Sequence, residues 1–269
     1  MQILFIKLRE IGMSDPAEIF NKVPVMNHEE EIKEVSSTIF DNIIHNRRSV
    51  RLYTEEKVPE EVMQKVLEWA TLAPNSSNLQ TWQFYWVKDL TKKESLVKAL
   101  FNQPAARTAQ ELIVVTVKLN QWKKTRKQML DVLNSKANTP SSVKAYYEKL
   151  VPFAYSQGPL GIIGLAKKII LPIIGIFRPI PRQPTGQADM RVWAVKSAAL
   201  ACQNIMMGFS AYGYDTCPME GYDSARIKKI LGLGRDDEVV MAISVGKRAA
   251  KGIYGPRIRM PKEQFISIV

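Results

Sequence analysis

Residues 189–212 read DMRVWAVKSAALACQNIMMGFSAY, and the fold turns on how this stretch is read. Ala194, Ala198, Ala201, Ile205 and Phe209 recur at three- and four-residue intervals, the helical period, and most positions between them are small or apolar too. A helix with so little polar surface is expected to be buried nearly all round, so it belongs at the centre of the protein. Gly213 is placed to cap its C-terminus. Around it, Gln83–Val87, Leu112–Leu119 and Val239–Val245 are runs of β-branched and aromatic residues that read as strands. Pro59 opens another helix, with Glu60 and Glu61 in its first turn to complement the dipole. Val62, Val66, Leu67, Ala70 and Ala73 form its buried stripe, and Pro74 stops it. Residues 27–46 also read as a helix, with Ile32, Val35, Ile39 and Ile43 at helical spacing. Helices and strands interleave, which points to an α+β or α/β sandwich.

The chain has 269 residues, enough for a sizeable core. The expected layout is an arm over residues 1–26, a single domain over 27–269 and a basic C-terminal arm from about residue 247. A 46% hydrophobic and 24% charged composition argues against disorder. Lys and Arg number 38 against 26 Asp and Glu, a net charge of +12 that favours anionic partners. The cations are spread along the chain without a nucleic-acid-binding motif, so phosphate-bearing cofactors fit better than nucleic acid. Cys202 and Cys217 give no disulfide framework, which suits a reducing, cytoplasmic setting. The opening MQILFIKLREIGM lacks the apolar core of a secretory signal. The only histidines, His28 and His45, both precede the core, leaving none for a hydrolytic triad or a metal centre. Neither a P-loop nor a dinucleotide-binding glycine fingerprint is present.

Residues 121–185 read as an irregular insertion. Its second half, Gly158–Pro184, is the oddest composition in the chain: GPLGIIGLAKKIILPIIGIFRPIPRQP. Lys167 and Lys168 fall mid-run and Pro172 interrupts it, against a membrane-spanning helix. The plain reading is a short buried helix and a proline-rich connector. The functional readings are a lid over an active site, which is preferred, or a patch that rests on a membrane surface or a partner.

Four local signals carry chemistry. Arg47, Arg48, Ser49 and Arg51 put three guanidiniums and a hydroxyl within five residues, a set that can fork onto a phosphate or lie solvated on the surface. Pro74-Asn75-Ser76-Ser77-Asn78, leading to Gln80 and Trp82, is a polar helix-to-strand loop rich in groups that bond backbone or a ligand edge. Cys217-Pro218-Met219-Glu220-Gly221-Tyr222-Asp223 is a loop whose Pro218 and Gly221 can align successive N–H groups. In Gly255-Pro256-Arg257-Ile258-Arg259-Met260-Pro261 the two arginines alternate in an extended segment and so point to one side, toward a shared phosphate or as guards on an edge strand.

In this order the four signals resemble the nitroreductase family of flavoproteins. The resemblance runs from about His45 to Phe265, leaving out the insertion. It implies an α+β, three-layer sandwich: a mixed, mainly antiparallel sheet with helices on both faces, forming a homodimer with two FMN sites across the interface. Arg47, Arg48, Ser49 and Arg51 would hold the FMN phosphate and the pyrimidine side of the ring, with Arg51 near N1 and O2. Pro74, Asn75, Ser76 and Ser77, with Asn78, would come from the other subunit. Met219, Glu220 and Gly221, set by Pro218, would present backbone groups near N5 and O4. Arg257 and Arg259 would close on the phosphate. The resemblance also implies NAD(P)H as co-substrate, ping-pong transfer to a small acceptor (a nitroaromatic, quinone or enone) and no catalytic side chain beyond flavin N5. Asn75 stands where the family usually has serine, and Thr81 where it has proline. The first motif with Val58-Pro59 also looks like the family's deiodinase branch, which lacks the P-M-E-G-Y-D pattern, so reductive dehalogenation is the alternative chemistry.

Overall fold

Residues 112–117 are buried without a break, so the sheet they belong to is covered on both faces. The computed structural model describes residues 30–31 and 33–269. Its first half runs α1 Ser37–Asn46, α2 Glu60–Thr71, β1 Trp82–Trp86, α3 Leu90–Ala99, α4 Pro104–Arg107 and β2 Glu111–Lys118. A helical stretch follows: α5 Gln121–Ser135, α6 Ser141–Ala145, α7 Val151–Tyr155 and α8 Ile162–Phe177. Then come α9 Gln187–Ala211, β3 Asp215–Met219, α10 Ser224–Leu231 and β4 Asp237–Gly246.

The strands lie in the order β1-β2-β4-β3, each ladder antiparallel, with one parallel bridge from Ser49 to Thr216 beside β3. Side chains on β2 alternate as the pleat requires. Ile113, Val115 and Val117 pack with α2 and α9, while Leu112 and Val114 pack with α3, α4 and α10. Helix, sheet and helix thus form three layers. Register slips by one residue between Val115 and Thr116, where a bulge sets two residues of β4 against one of β2.

Helix α9 is the centre of the first layer, as its composition suggests. Ala194, Ala198, Ala201, Ile205 and Phe209 are wholly buried. Gly208 lets α2 approach closely: a Cβ there would sit 3.0 Å from Val66 and 3.1 Å from Trp69. Gly213 takes φ +74° just past the helix end, the left-handed cap a side chain would disfavour. Burial is not all round, however. Val192 and Leu200 are exposed, because the neighbouring elements cover only one broad side of the helix.

Other expectations need correction. The helix expected over 27–46 begins only at Ser37; Val35 precedes it and is 74% exposed, with none of the described residues packed over it. The residues before Glu30, with the proposed arm, lie outside the described residues. The stretch 121–185 is largely helical rather than irregular, held by a cluster of Leu79, Trp122, Leu133, Tyr147, Val151, Tyr155 and Met190. Helix α8 is neither short nor buried: it runs 16 residues, and Ile162, Leu165, Ile169, Ile173 and Ile176 face outward. Cys217–Met219, expected in a loop, form the edge strand β3, where Pro218 is tolerated because only one side of the strand is laddered.

Phe209 is the largest fully buried side chain on α9. Phe209→Ala is expected to lower unfolding free energy by about 3–5 kcal/mol in urea titrations, the range for deleting a buried aromatic. Gln203→Ala, at an exposed position of the same helix, should change it by less than about 0.5 kcal/mol. Equal costs for the two would contradict the placement of α9.

Candidate functional site

The first and fourth motifs meet although they lie some two hundred residues apart in the chain. After α1 ends, residues 49–54 are sewn between β3 and the strand-like segment that follows β4. Val50 N–H donates to Thr216 O (3.0 Å), Arg51 N–H to Gly252 O (2.8 Å) and Thr54 N–H to Lys247 O (2.8 Å). Gly252 is required there, since a Cβ would collide with Leu52 O. Arg248 holds the same corner through a two-pronged ion pair with buried Asp215.

This framework brings Arg47, Arg48, Ser49, Arg51, Arg257 and Arg259 around one cleft of about 240 Å³. Two of the arginines clasp reciprocally. Arg48 Nη2 donates to Gly255 O (2.7 Å), and Arg257 Nη2 donates to Arg47 O (2.7 Å) and His45 O (2.8 Å). Arg257 thereby satisfies carbonyls at the negative end of α1, which would otherwise repel an anion. Arg51 lies 5.1 Å from the centroid of Tyr254, over its ring. The guanidiniums raise one another's energy: Arg47 is pushed below its ordinary pKa first by burial, then by Arg257, Arg259 and Arg48. Among the described residues no carboxylate pairs with any of these five arginines. Such a cluster has the charge and the donors to receive a multiply charged anion.

The third motif adjoins this cleft through the Ser49–Thr216 bridge. Cys217 and Met219 turn into the core, Pro218 is half-buried and Glu220 and Gly221 are exposed at the strand end. Gln103 Nε2 donates to Gly221 O (2.8 Å) and Asp223 caps α10, so the loop is held from both sides. Burial pushes the Cys217 thiol up, against the pull of Arg51 and Arg47, so it is a packed thiol rather than a thiolate.

The second motif lies elsewhere in the single chain. Ser76 and Ser77 line a separate cavity of about 270 Å³ with Tyr146, Tyr155, Lys167 and Trp193. Their hydroxyls are already engaged: Ser76 Oγ with Tyr155 OH (2.9 Å), Ser77 Oγ with Tyr146 OH (2.6 Å) and Tyr155 OH (3.0 Å). Asn75 Oδ1 accepts from Gln80 N–H (2.9 Å), closing the loop, and exposed Asn78 reaches Met129. Pro74 is exposed.

The nitroreductase family model matches residues 44–247. The chain belongs to the nitroreductase family. YdgI of Bacillus subtilis (strain 168), which carries an NAD(P)H nitroreductase name, is 28% identical over 227 residues, covering 83% of this chain and 95% of that protein. Among solved structures, ydfN of Bacillus subtilis superposes with a TM-score of 0.67 at 22% identity, over 87% of this chain and all of that one. A protein of Exiguobacterium sibiricum 255-15, solved in complex with FMN, gives 0.59 at 26% identity over 86% and 97% of the two chains.

Several residues around the two cavities had no sequence signal. Tyr254 acts through a contact some two hundred residues distant in the chain, and so does the carbonyl of Gly255, a residue the fourth motif had included without that role. Tyr146 and Tyr155 follow no motif, and only the topology brings them to Ser76 and Ser77. Lys167, noted only as a break in an apolar run, is buried and donates to Ala154 O (3.0 Å) and Ser156 O (2.6 Å), with no carboxylate partner among the described residues.

Burial lowers Lys167 to about 8 from its ordinary 10.5. Between those values the unfolded chain binds more protons than the folded one, so folding stability from this group rises as pH climbs from 8 to 10.5. The melting temperature of the native protein relative to a Lys167→Met variant should therefore increase between pH 7.5 and 10. A difference that is flat or falls across that window would contradict the buried cation.

Proposed function

We propose that this chain is an FMN-dependent oxidoreductase that passes electrons from NAD(P)H to a small electron-poor acceptor, and that it works as a homodimer. The observation that carries the reading is the convergence of five guanidiniums, with no carboxylate among them, on one cleft beside β3. The fit to FMN follows from that donor set. A phosphate dianion relieves the repulsion among Arg47, Arg48, Arg257 and Arg259, and each guanidinium has donors left after its backbone bonds.

When bound, FMN supplies the two-electron redox chemistry between nicotinamide and acceptor. The chain's own residues supply position and charge. Arg47, Arg48, Arg257 and Arg259, with Ser49, hold the phosphate end. Arg51, oriented by Tyr254, is a fixed positive charge for the pyrimidine side of the ring. Pro218, Met219, Glu220 and Gly221 supply a backbone edge whose conformation is set by the β3–β4 ladder and by Gln103. No side chain of this set is asked to be a nucleophile, which agrees with the packed Cys217 thiol.

The dimer accounts for the second motif. Within one chain, Ser76 and Ser77 line a different cavity from the arginines, so a second subunit's Pro74–Asn78 loop is the one to complete the ring site. Exposed Ile39 and Phe40 of α1 and Val192 and Leu200 of α9 offer apolar surface for that contact. Nitroaromatics, quinones and enones are the acceptor classes, each small, electron-poor and able to take two electrons.

Purified protein loaded with FMN should lose its yellow absorbance when NADH or NADPH is added anaerobically, and regain it with a quinone. Retained absorbance with both nicotinamides, despite bound FMN, would overturn this reading.

A further inference from the structure

Helix α8 inverts the pattern of a water-soluble surface helix. Its inward stripe holds Gly164, Lys167 and Leu171, so the buried face carries a cation. Its outward face is almost wholly aliphatic: Ile162 is 64% exposed, Leu165 61%, Ile169 60% and Ile176 76%, with Ile173 and Phe177 beside them. Single apolar residues on a surface need no explanation, but a continuous sheath around two-thirds of a helix does.

The helix is fastened to the body. Gly164 N–H donates to Gln157 O (3.1 Å), Lys167 holds two carbonyls of the preceding turn, and Arg182 Nη2 returns to Gly175 O (3.1 Å). Gly164 permits the close seat, because a Cβ there would collide with Thr185 O. At 1.5 Å per residue the 16 residues extend roughly 24 Å. That is short of the roughly 30 Å hydrocarbon core. Counted from the turn at Pro159 the helical run reaches 19 residues, enough by length and composition to cross, but Gly164, Lys167 and Leu171 fix one face to the body, so the helix is placed to lie in a bilayer surface rather than to span it.

Charge selects among occupants. From Lys149 to Ala188 the sequence carries five cations and no Asp or Glu; Lys167 is buried on backbone carbonyls, which leaves Lys149, Lys168, Arg178 and Arg182 toward the surface. A second copy seated on α8 by two-fold symmetry would set this basic stretch against itself. An anionic lipid surface offers hydrocarbon for the isoleucines and headgroup charge for the cations together.

We propose that α8 rests in the headgroup–acyl boundary of an anionic membrane and holds the protein at that surface. The inner face of the same helix, through Lys167 and Leu171, walls the cavity that Ser76 and Ser77 line. A membrane-seated α8 therefore places that cavity directly behind the lipid contact. The proposal goes beyond the flavin chemistry and stands without it.

The full chain is sedimented with vesicles of phosphatidylcholine alone and with one quarter phosphatidylglycerol. The native protein should pellet with the anionic vesicles at least tenfold more than with neutral ones, and less as salt rises. Ile169→Glu combined with Ile176→Glu should reduce pelleting at least tenfold while far-ultraviolet circular dichroism and solution mass stay unchanged. If the native protein stays in the supernatant with anionic vesicles at low salt, the proposal fails, whatever the variant does. It fails equally if the double variant halves the solution mass, because α8 would then be covered by a second copy.

Discussion

The site depends on one exchange of hydrogen bonds: Arg48 gives one to the carbonyl of Gly255, and Arg257 gives one to the carbonyl of Arg47. Each arginine grips the backbone that carries the other, so segments from the two ends of the domain are locked in register. The clasp concentrates positive charge. Arg47 sits partly buried among Arg48, Arg257 and Arg259, an arrangement that costs free energy in the absence of an anion. Strain of this electrostatic kind is expected at a ligand site, where the ligand offsets it.

What makes the clasp possible is the three-layer body. Strand β3 lies at the sheet edge, so its outer side is free to bridge Ser49, while β4 continues past Gly246 into the segment that bonds Arg51 and Thr54. The Asp215–Arg248 pair pins this corner from below. Helix α9 sets the depth of the sheet through Ala194, Ala198 and Ala201, small enough for close approach. The arginines thus stand on a rigid edge rather than on free loops, which is what preorganised recognition of a phosphate requires.

Much of the body was legible in the sequence because period and burial coincide there. The α9 spacing, the Pro59 helix start and the β2 run each report a local rule that tertiary packing did not override. The four motifs were legible as an ordered set. What escaped is equally physical. Cys217–Met219 contain a proline and lead into Glu220-Gly221, turn chemistry that hid an edge strand. Of the helices of 121–177, α6 and α7 are short and α8 carries inverted polarity, while α5 does present Trp122, Met129 and Leu133 at helical spacing, a period that was there to be read; the cluster they form with Tyr155 is a product of topology. Val35 followed a helical spacing with no partner to reward it among the described residues. The tyrosine hydroxyls on Ser76 and Ser77 depend on contacts 69 to 79 residues apart in sequence.

The central claim is that the arginine cleft recognises the phosphate of a flavin mononucleotide, and riboflavin, which has the same ring and no phosphate, isolates that term. Dissociation constants for FMN and riboflavin can be compared by flavin fluorescence in the native protein and in Arg257→Ala. The account predicts that FMN binds the native protein at least 100-fold more tightly, about 2.7 kcal/mol, and that the gap narrows to within about tenfold in the variant. Equal affinities in the native protein, or a gap that survives loss of Arg257 intact, would contradict it.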